Sequence, residues 1–501
     1  MNASALPDVT LLLEGTYPYV RGGVSSWVHD LLTGLPELTF SIVSLGAERP
    51  ADDEAPHYKV PPNVCAIQRH FLMDDKPARP RACPGDKDYF AASSLLHEWF
   101  ADPGEALADT VFSRAILQSG RSPQQCTQEF FHSKAAWSYT LERYAQACPE
   151  ASLLAYFWAV RNTHGPLMRL AAIARAIAPS KLYHAISTGY AGLLGSMLHR
   201  EHRRPLILTE HGIYTKERRI ELLSMFLHER QGCLDDLPAG GLEHSQELWL
   251  RMFKGIGHLT YQAANPIISL YEQNRQRQIS DGAAETRTRI IPNGVDVERY
   301  ATLRRERPQA IPHVLGLIGR IVPIKDIKTF IRAIHALVPL MPDVEGWLIG
   351  PADEDPAYAA ECHALVRTLQ LERHVRFLGF QRIDDVLPKL GLLALTSISE
   401  AFPLVIGEGY ASGLPVVTTD VGACRALVEG AGEEDRALGR AGRVVPIFAP
   451  QALAQAAYEL LGDPACWHAA QRAGIARVER YYHQSGVIDA YRQLYRSTGV
   501  D

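Results

Sequence analysis

Short apolar runs ending in small or charged residues alternate along this chain with stretches whose apolar positions recur at helical spacing, and few folds accommodate that alternation. Val9-Thr10-Leu11-Leu12-Leu13 has the pattern of a buried strand. Gly22-Gly23 follows, then Val24, Trp27, Val28, Leu31 and Leu32 at helical spacing, then a second strand pattern from Leu38 to Leu45. Strand, glycine-rich turn, helix and strand form a crossover unit, and such units build parallel sheets whose ligand edge lies at the strands' carboxyl ends. The rhythm returns after residue 312. Strands are expected at Val314–Arg320, Trp347–Gly350, Val375–Leu378, Leu392–Thr396, Val416–Thr419 and Val444–Val445, with an apolar helical stripe through Ile327, Phe330, Ile331, Ile334, Leu337 and Val338. The fold class expected is α/β, built from two Rossmann-like doubly wound domains.

At 501 residues the chain exceeds the size at which one hydrophobic core keeps growing. Residues 1–305 are expected to form the first domain and 306–480 the second, with a linker near Tyr300–Pro312 and a final helix, within 481–501, that crosses back to the first domain. Alternation falters between about 47 and 162, where Phe90–Phe100 and Phe130–Tyr144 are aromatic-rich and helical in period, so a helical insertion is expected in the first domain. The sheet resumes at Leu182–Ile186 and at Pro205-Leu206-Ile207-Leu208-Thr209-Glu210-His211-Gly212, where His211 ends an apolar strand in a position suited to a catalytic imidazole. Asn293-Gly294 marks a tight turn. No Gly-x-Gly-x-x-Gly occupies the first turn, which argues against a nicotinamide enzyme.

A formal charge of −5 without a dense basic run argues against coating nucleic acid or an anionic membrane. Apolar stretches such as Leu153–Val160 fall short of the ~20 residues a membrane helix needs, and the start lacks a basic leader, so a soluble, cytoplasmic protein is expected. Eight scattered cysteines show no Cys-x-x-Cys pair and are expected to be reduced. His199-Arg200-Glu201-His202 lacks a third ligand nearby, and Asp86-Lys87-Asp88 and Asp353-Glu354-Asp355 sit among loop-forming residues, so no metal site is expected.

Chemistry concentrates in Ser399-Glu400-Ala401-Phe402-Pro403-Leu404-Val405-Ile406-Gly407-Glu408-Gly409, two carboxylates eight positions apart across a strand-to-helix turn. Pro403 suits the first helical position, and the amides of Leu404, Val405 and Ile406 are then among the unpaired first donors that attract phosphate. Gly407 and Gly409 each cost a helix roughly 1 kcal/mol against Ala, which fits a backbone approached closely by ligand. Arg320 and Lys325 follow the first strand of the same domain and offer fixed positive charge.

This segment resembles the Glu-x7-Glu motif of family 4 glycosyltransferases of the GT-B fold. Three further pieces of that family stand in the expected order: Glu14-Gly15-Thr16-Tyr17-Pro18-Tyr19-Val20-Arg21-Gly22-Gly23-Val24, Ile291-Pro292-Asn293-Gly294-Val295-Asp296, and Gly319-Arg320 with Lys325. The opening motif together with Thr209–Arg218 looks like the PelF proteins of Pel exopolysaccharide biosynthesis. The resemblance implies two domains facing across a cleft and metal-independent transfer of a sugar from a UDP-sugar to an oligosaccharide or polysaccharide acceptor, with retention of configuration and no cofactor. By position, Glu400 would bind the sugar hydroxyls, Glu408 the ribose, Arg320 and Lys325 the diphosphate, and Phe380 and Arg382 would border the base. Phe402 and Pro403 would lead into the amides of Leu404–Ile406, Gly22 and Gly23 would face the donor phosphates and the acceptor cleft, and His211 would contact the sugar from the opposite domain. It also implies membrane subunits of a synthase complex as partners. A UDP-sugar epimerase and a non-catalytic nucleotide-sugar-binding subunit are the alternatives on the same scaffold.

Overall fold

The computed structural model describes residues 6–15, 17–20, 22–50, 55–73, 82–104, 106–118, 122–147, 152–220 and 244–500. Thr16 and Arg21 of the opening motif, Cys148 and Cys233 lie outside them. The chain divides into two compact units, one of residues 1–290 with 492–501 and one of residues 291–491.

The first unit is built on seven parallel strands among the described residues: β1 (Val9–Glu14), β2 (Phe40–Gly46), β3 (Val64–Phe71), β4 (Leu182–Ala185), β5 (Leu206–Glu210), β6 (Ile267–Ser269) and β7 (Thr288–Ile290). Their order is β3-β2-β1-β4-β5-β6-β7, so the winding direction reverses between β1 and β4. The second unit has six: β8 (Val314–Ile318), β9 (Glu345–Ile349), β10 (Val375–Gly379), β11 (Leu392–Leu395), β12 (Val416–Thr419) and β13 (Gly442–Val445). They run in the order β10-β9-β8-β11-β12-β13, also all parallel, with the reversal between β8 and β11. Helices cover sheets of this type on both faces, and β4, β5, β11 and β12 are accordingly buried along their whole length. Leu12, Leu194, Leu208 and Ile256 lie in the first core, and Leu317, Phe330, Leu392 and Leu460 in the second.

Three boundaries differ from expectation. The units divide after Ile290 rather than near residue 305, because the Asn293-Gly294 turn belongs to the second unit. There Val295 donates its amide to Tyr482 and accepts from Gln484. The expected linker is not irregular: Val297–Thr302 is helical and Leu303–Glu306 a tighter helical turn, with Tyr300 and Leu303 buried. Arg304 and Arg307 donate to the carbonyls of Ala411, Leu387 and Leu390. The insertion also contains β3, and its last helix, Leu153–Ala176, outruns residue 162. Tyr89, Phe90, Phe130, Tyr139 and Tyr156 pack into a small core of its own, so many of its aromatics join helix to helix. The last helix, Gln484–Ser497, changes unit partway: Arg492 bonds Glu37 at 2.6 Å, and the Tyr495 hydroxyl meets His184 at 2.7 Å.

Arg477 is completely buried in the second unit. Its Nε donates to Asp435 at 2.6 Å, and its terminal nitrogens donate to the carbonyls of Leu427, Val428, Asp435 and Gly439. Arg477→Met is expected to lower stability by about 3–5 kcal/mol in denaturant titration, because Asp435 and four carbonyls lose their shared donor.

Candidate active site

The reversal between β8 and β11 opens the carboxyl edge of the second sheet, and hydrogen bonds pin the loops that rise there. Gly319 donates its amide to Ile349 at 2.9 Å, and a Cβ on Gly350 (φ +154°) would fall 2.0 Å from the Gly319 carbonyl oxygen. Only glycine permits that approach, and it sets the backbone from which Arg320 extends. The Thr396 hydroxyl donates to the Lys325 carbonyl at 2.7 Å, and the Thr419 hydroxyl to the Ser397 carbonyl at 2.7 Å. The Ala423 amide holds the Ala401 carbonyl at 2.8 Å. Gly422, at φ +53°, packs so closely on Glu400 that a Cβ would lie 2.2 Å from its carbonyl oxygen.

These pins bring Lys325 and Glu400 together. Lys325 Nζ sits 2.5 Å from Glu400 Oε1, and the Ser397 hydroxyl donates to the same oxygen at 2.6 Å. Arg320 turns instead to Glu354, 2.5 Å away, in a pair more than half exposed on both sides. Such a pair is worth little, so the guanidinium can be exchanged to another anion. Glu408 accepts from the Tyr300 hydroxyl at 3.1 Å. Burial, then the Glu408 charge, pushes that phenol's pKa upward and keeps it protonated.

The remaining predicted residues of this unit divide. Phe380 is 68% exposed just beyond β10, the edge strand, and the Arg382 side chain is similarly open near Asp384. Phe402 packs edge-on against Tyr482 with ring centres 5.5 Å apart. Pro403 caps helix Leu404–Ala411 rather than entering it. The Ile406 amide donates to the Pro403 carbonyl at 3.2 Å, which leaves Leu404 and Val405 as the opening amides of the helix. Gly407 and Gly409 answer to packing rather than to ligand: a Cβ would meet Val295 at 2.5 Å or Leu393 at 3.2 Å. Neither Asp-x-Asp stretch is a free loop. Asp86 and Asp355 cap helices, Asp88 pairs with Arg114 and Glu354 with Arg320. Among the described residues no group of three or more His, Cys, Asp or Glu could hold a metal, and no helix is long and apolar enough to cross a membrane.

In the first unit His211 follows β5 and is buried, with Trp27 edge-on at 4.6 Å. Burial pushes its pKa down to about 4, so the imidazole is neutral near pH 7. Its Nε2 has no hydrogen-bond partner among the described residues. Beside it Glu210 is fully buried and accepts from Tyr261, Gln278, Thr188 and the Tyr214 amide, and burial raises its pKa. Gly22 and Gly23 open helix Gly23–Gly34 and are exposed. Residues 214–220 form a helix, with Tyr214 buried.

Sequence reasoning passes over Ser397, Tyr300 and Glu354. For Ser397 the signal is present, since two hydroxyl residues at the carboxyl end of an apolar strand have carbonyls and carboxylates within reach. Tyr300 and Glu354 meet Glu408 and Arg320 across long sequence separations and leave no local signal.

The family model described as a domain of unknown function, DUF3492, matches residues 7–286, more than half of the chain. The chain belongs to the DUF3492 family. In this DUF3492 protein the model for group 1 glycosyl transferases matches residues 312–463, so the second unit is a group 1 glycosyltransferase domain. Similar proteins include a D-inositol 3-phosphate glycosyltransferase of Kineococcus radiotolerans, 29% identical over 48% of this chain and 59% of that protein. Another is the lipopolysaccharide core mannosyltransferase LpsB of Rhizobium meliloti, 28% identical over 42% and 60%. The chain spans about half the length of the curated relatives it matches. Among solved structures, Anabaena HepE in complex with UDP aligns with TM-score 0.57 at 16% identity over 98% of this chain and 99% of that one. Sucrose-phosphate synthase from Thermosynechococcus elongatus aligns with TM-score 0.57 at 16% identity over 98% of both chains. The DUF3492 protein therefore has the GT-B fold, with two parallel-sheet Rossmann-like domains.

Burial holds His184 near pKa 3 and His164 and His211 near 4. Each folded value lies below the ordinary 6.5 of the unfolded chain, so the stability these neutral rings contribute is complete above pH 6.5 and lost as pH falls toward 4. Between pH 7 and 5 the loss is expected to be about 2 kcal/mol per histidine in denaturant titrations, and smaller overall in His211→Phe.

Proposed function

We propose that this protein is a retaining, metal-independent glycosyltransferase that moves a sugar from a UDP-sugar, either UDP-glucose or a UDP-N-acetylhexosamine, to a growing exopolysaccharide, in the manner of PelF proteins. The observation that carries the reading is the Lys325–Glu400–Ser397 cluster at the reversal of the second sheet, where doubly wound folds bind ligands. A carboxylate held rigidly by a hydroxyl and an ammonium is suited to sugar hydroxyls, and it keeps the lysine beside them. Arg320 leaves Glu354 for the diphosphate, joined by Lys325 and the amides of Leu404 and Val405. Glu408 and Tyr300 are assigned to the ribose, Phe380 and Arg382 to the edge of the base, and the neutral His211 to the sugar. HepE, whose structures hold UDP and UDP-glucose, supports the choice of donor by analogy of fold.

In the proposed reaction the bond from the sugar's anomeric carbon to the β-phosphate oxygen breaks, and the electron pair leaves with UDP. The acceptor hydroxyl bonds to the same carbon from the same face, and its proton passes to the departing phosphate. Arg320, Lys325 and the helix amides stabilise the charge growing on that phosphate, so no divalent ion is required. The proposed working place is the cytoplasmic face of a membrane, with membrane subunits of a synthase as partners.

Thermal-shift titration with a panel of UDP- and GDP-sugars should single out a UDP-sugar, since a ligand of the folded state raises Tm. Lys325→Ala is expected to lower transfer by about 10²–10³-fold with the far-UV circular dichroism unchanged. A variant that turns over like wild type would refute the assignment of that lysine.

A further inference from the structure

Nε2 of His211 has no hydrogen-bond partner among the described residues, so packing rather than a bond at that nitrogen orients the ring. The indole of Trp27, in helix Gly23–Gly34, supplies the packing from one side. The same indole stands edge-on to His184 of β4, with ring centres 6.1 Å apart and planes at 87°. His184 is itself held at both nitrogens: Nδ1 meets the Tyr495 hydroxyl at 2.7 Å and Nε2 the Thr209 hydroxyl at 2.8 Å. Burial, then the neighbouring His211, keeps that ring neutral. A neutral imidazole carries one N–H, so one hydroxyl donates to the ring and the other accepts from it. Tyr495 belongs to the last helix and also packs edge-on against Phe40 of β2, ring centres 6.3 Å apart. His184, Thr209 and Tyr495 are inaccessible to solvent, and Trp27 is nearly so.

Bonds at opposite ring nitrogens hold His184 against rotation, which apolar side chains of the same volume would not do. Without the Tyr495 hydroxyl, one of those nitrogens is left buried and unpaired, and the ring gains a reason to turn. Trp27 packs on that ring in a close-packed interior, so the displacement passes to the surface against which His211 rests. We infer that Tyr495, His184 and Trp27 are positioning residues for His211, so that the docked end of the last helix fixes the orientation in which this imidazole meets the donor sugar. The sugar's part in this rests on the proposed transfer, while the placement of the ring is measured without turnover.

The test is nuclear magnetic resonance of the full chain with isotope-labelled histidine rings, the His211 signal being assigned by its loss in His211→Gln. Tyr495→Phe deletes one buried hydroxyl and is expected to move the His211 signal. Arg492→Gln, which loosens the same helix at its partly exposed pair with Glu37, should leave that signal in place. In turnover Tyr495→Phe should lower kcat by about tenfold or more with KM for the UDP-sugar within about twofold, and should cost nothing further in a His211→Gln background. Thr209→Val removes the other hydroxyl from His184 and should reproduce both effects, which keeps the test available should Tyr495→Phe fold poorly. The inference is overturned if the hydroxyl deletions leave the His211 signal unmoved, if Arg492→Gln moves it as far, or if the loss in kcat persists in full without His211. Absence of transfer by the wild-type chain would instead sink the proposed function and leave the His211 signal to decide the placement.

Discussion

Parallel pairing is the constraint on which everything else in this protein depends. Strands that all run one way need crossovers, and crossovers on both faces force a reversal in strand order. Every strand's carboxyl end then lies on one edge of its sheet, so residues remote in sequence meet there. Lys325 and Glu400 become neighbours because β8 and β11 are adjacent, although seventy-five positions separate them. Glu14 reaches Ser187 and Tyr214 for the same reason in the first unit.

The two reversals are furnished differently. In the second unit Arg320 and Lys325 follow β8 at the same carboxyl edge that carries the start of helix Leu404–Ala411, an arrangement suited to an anion. In the first a carboxylate occupies the corresponding place. Buried polar groups hold these positions firm: the four donors on Glu210 fix the backbone beside His211, and Thr396 and Thr419 fix the loops around Glu400.

Legibility follows burial. β11 and β12 are short apolar runs buried on both faces, and their sequences say so. β3 is a half-exposed edge strand containing Gln68, Arg69 and His70, and β6 has three residues, so neither leaves a strong periodic trace. The unit boundary is misplaced because Arg304, Arg305, Glu306 and Arg307 read as solvated linker, whereas two of those guanidinium groups donate to backbone carbonyls of the second unit. Gly407 and Gly409 look like ligand-facing backbone until Val295 and Leu393 are found against them.

By itself the sequence determined the α/β class, the doubling into two units, and the chemical inventory at the strand ends, because these depend on local periodicity and residue type. Only the tertiary structure decided which partner each charged group takes: Lys325 with Glu400, Arg320 with Glu354, Glu408 with Tyr300, and Glu14 with a helix start. Those pairings depend on strand order and loop packing, which bring together side chains that no short stretch of sequence relates.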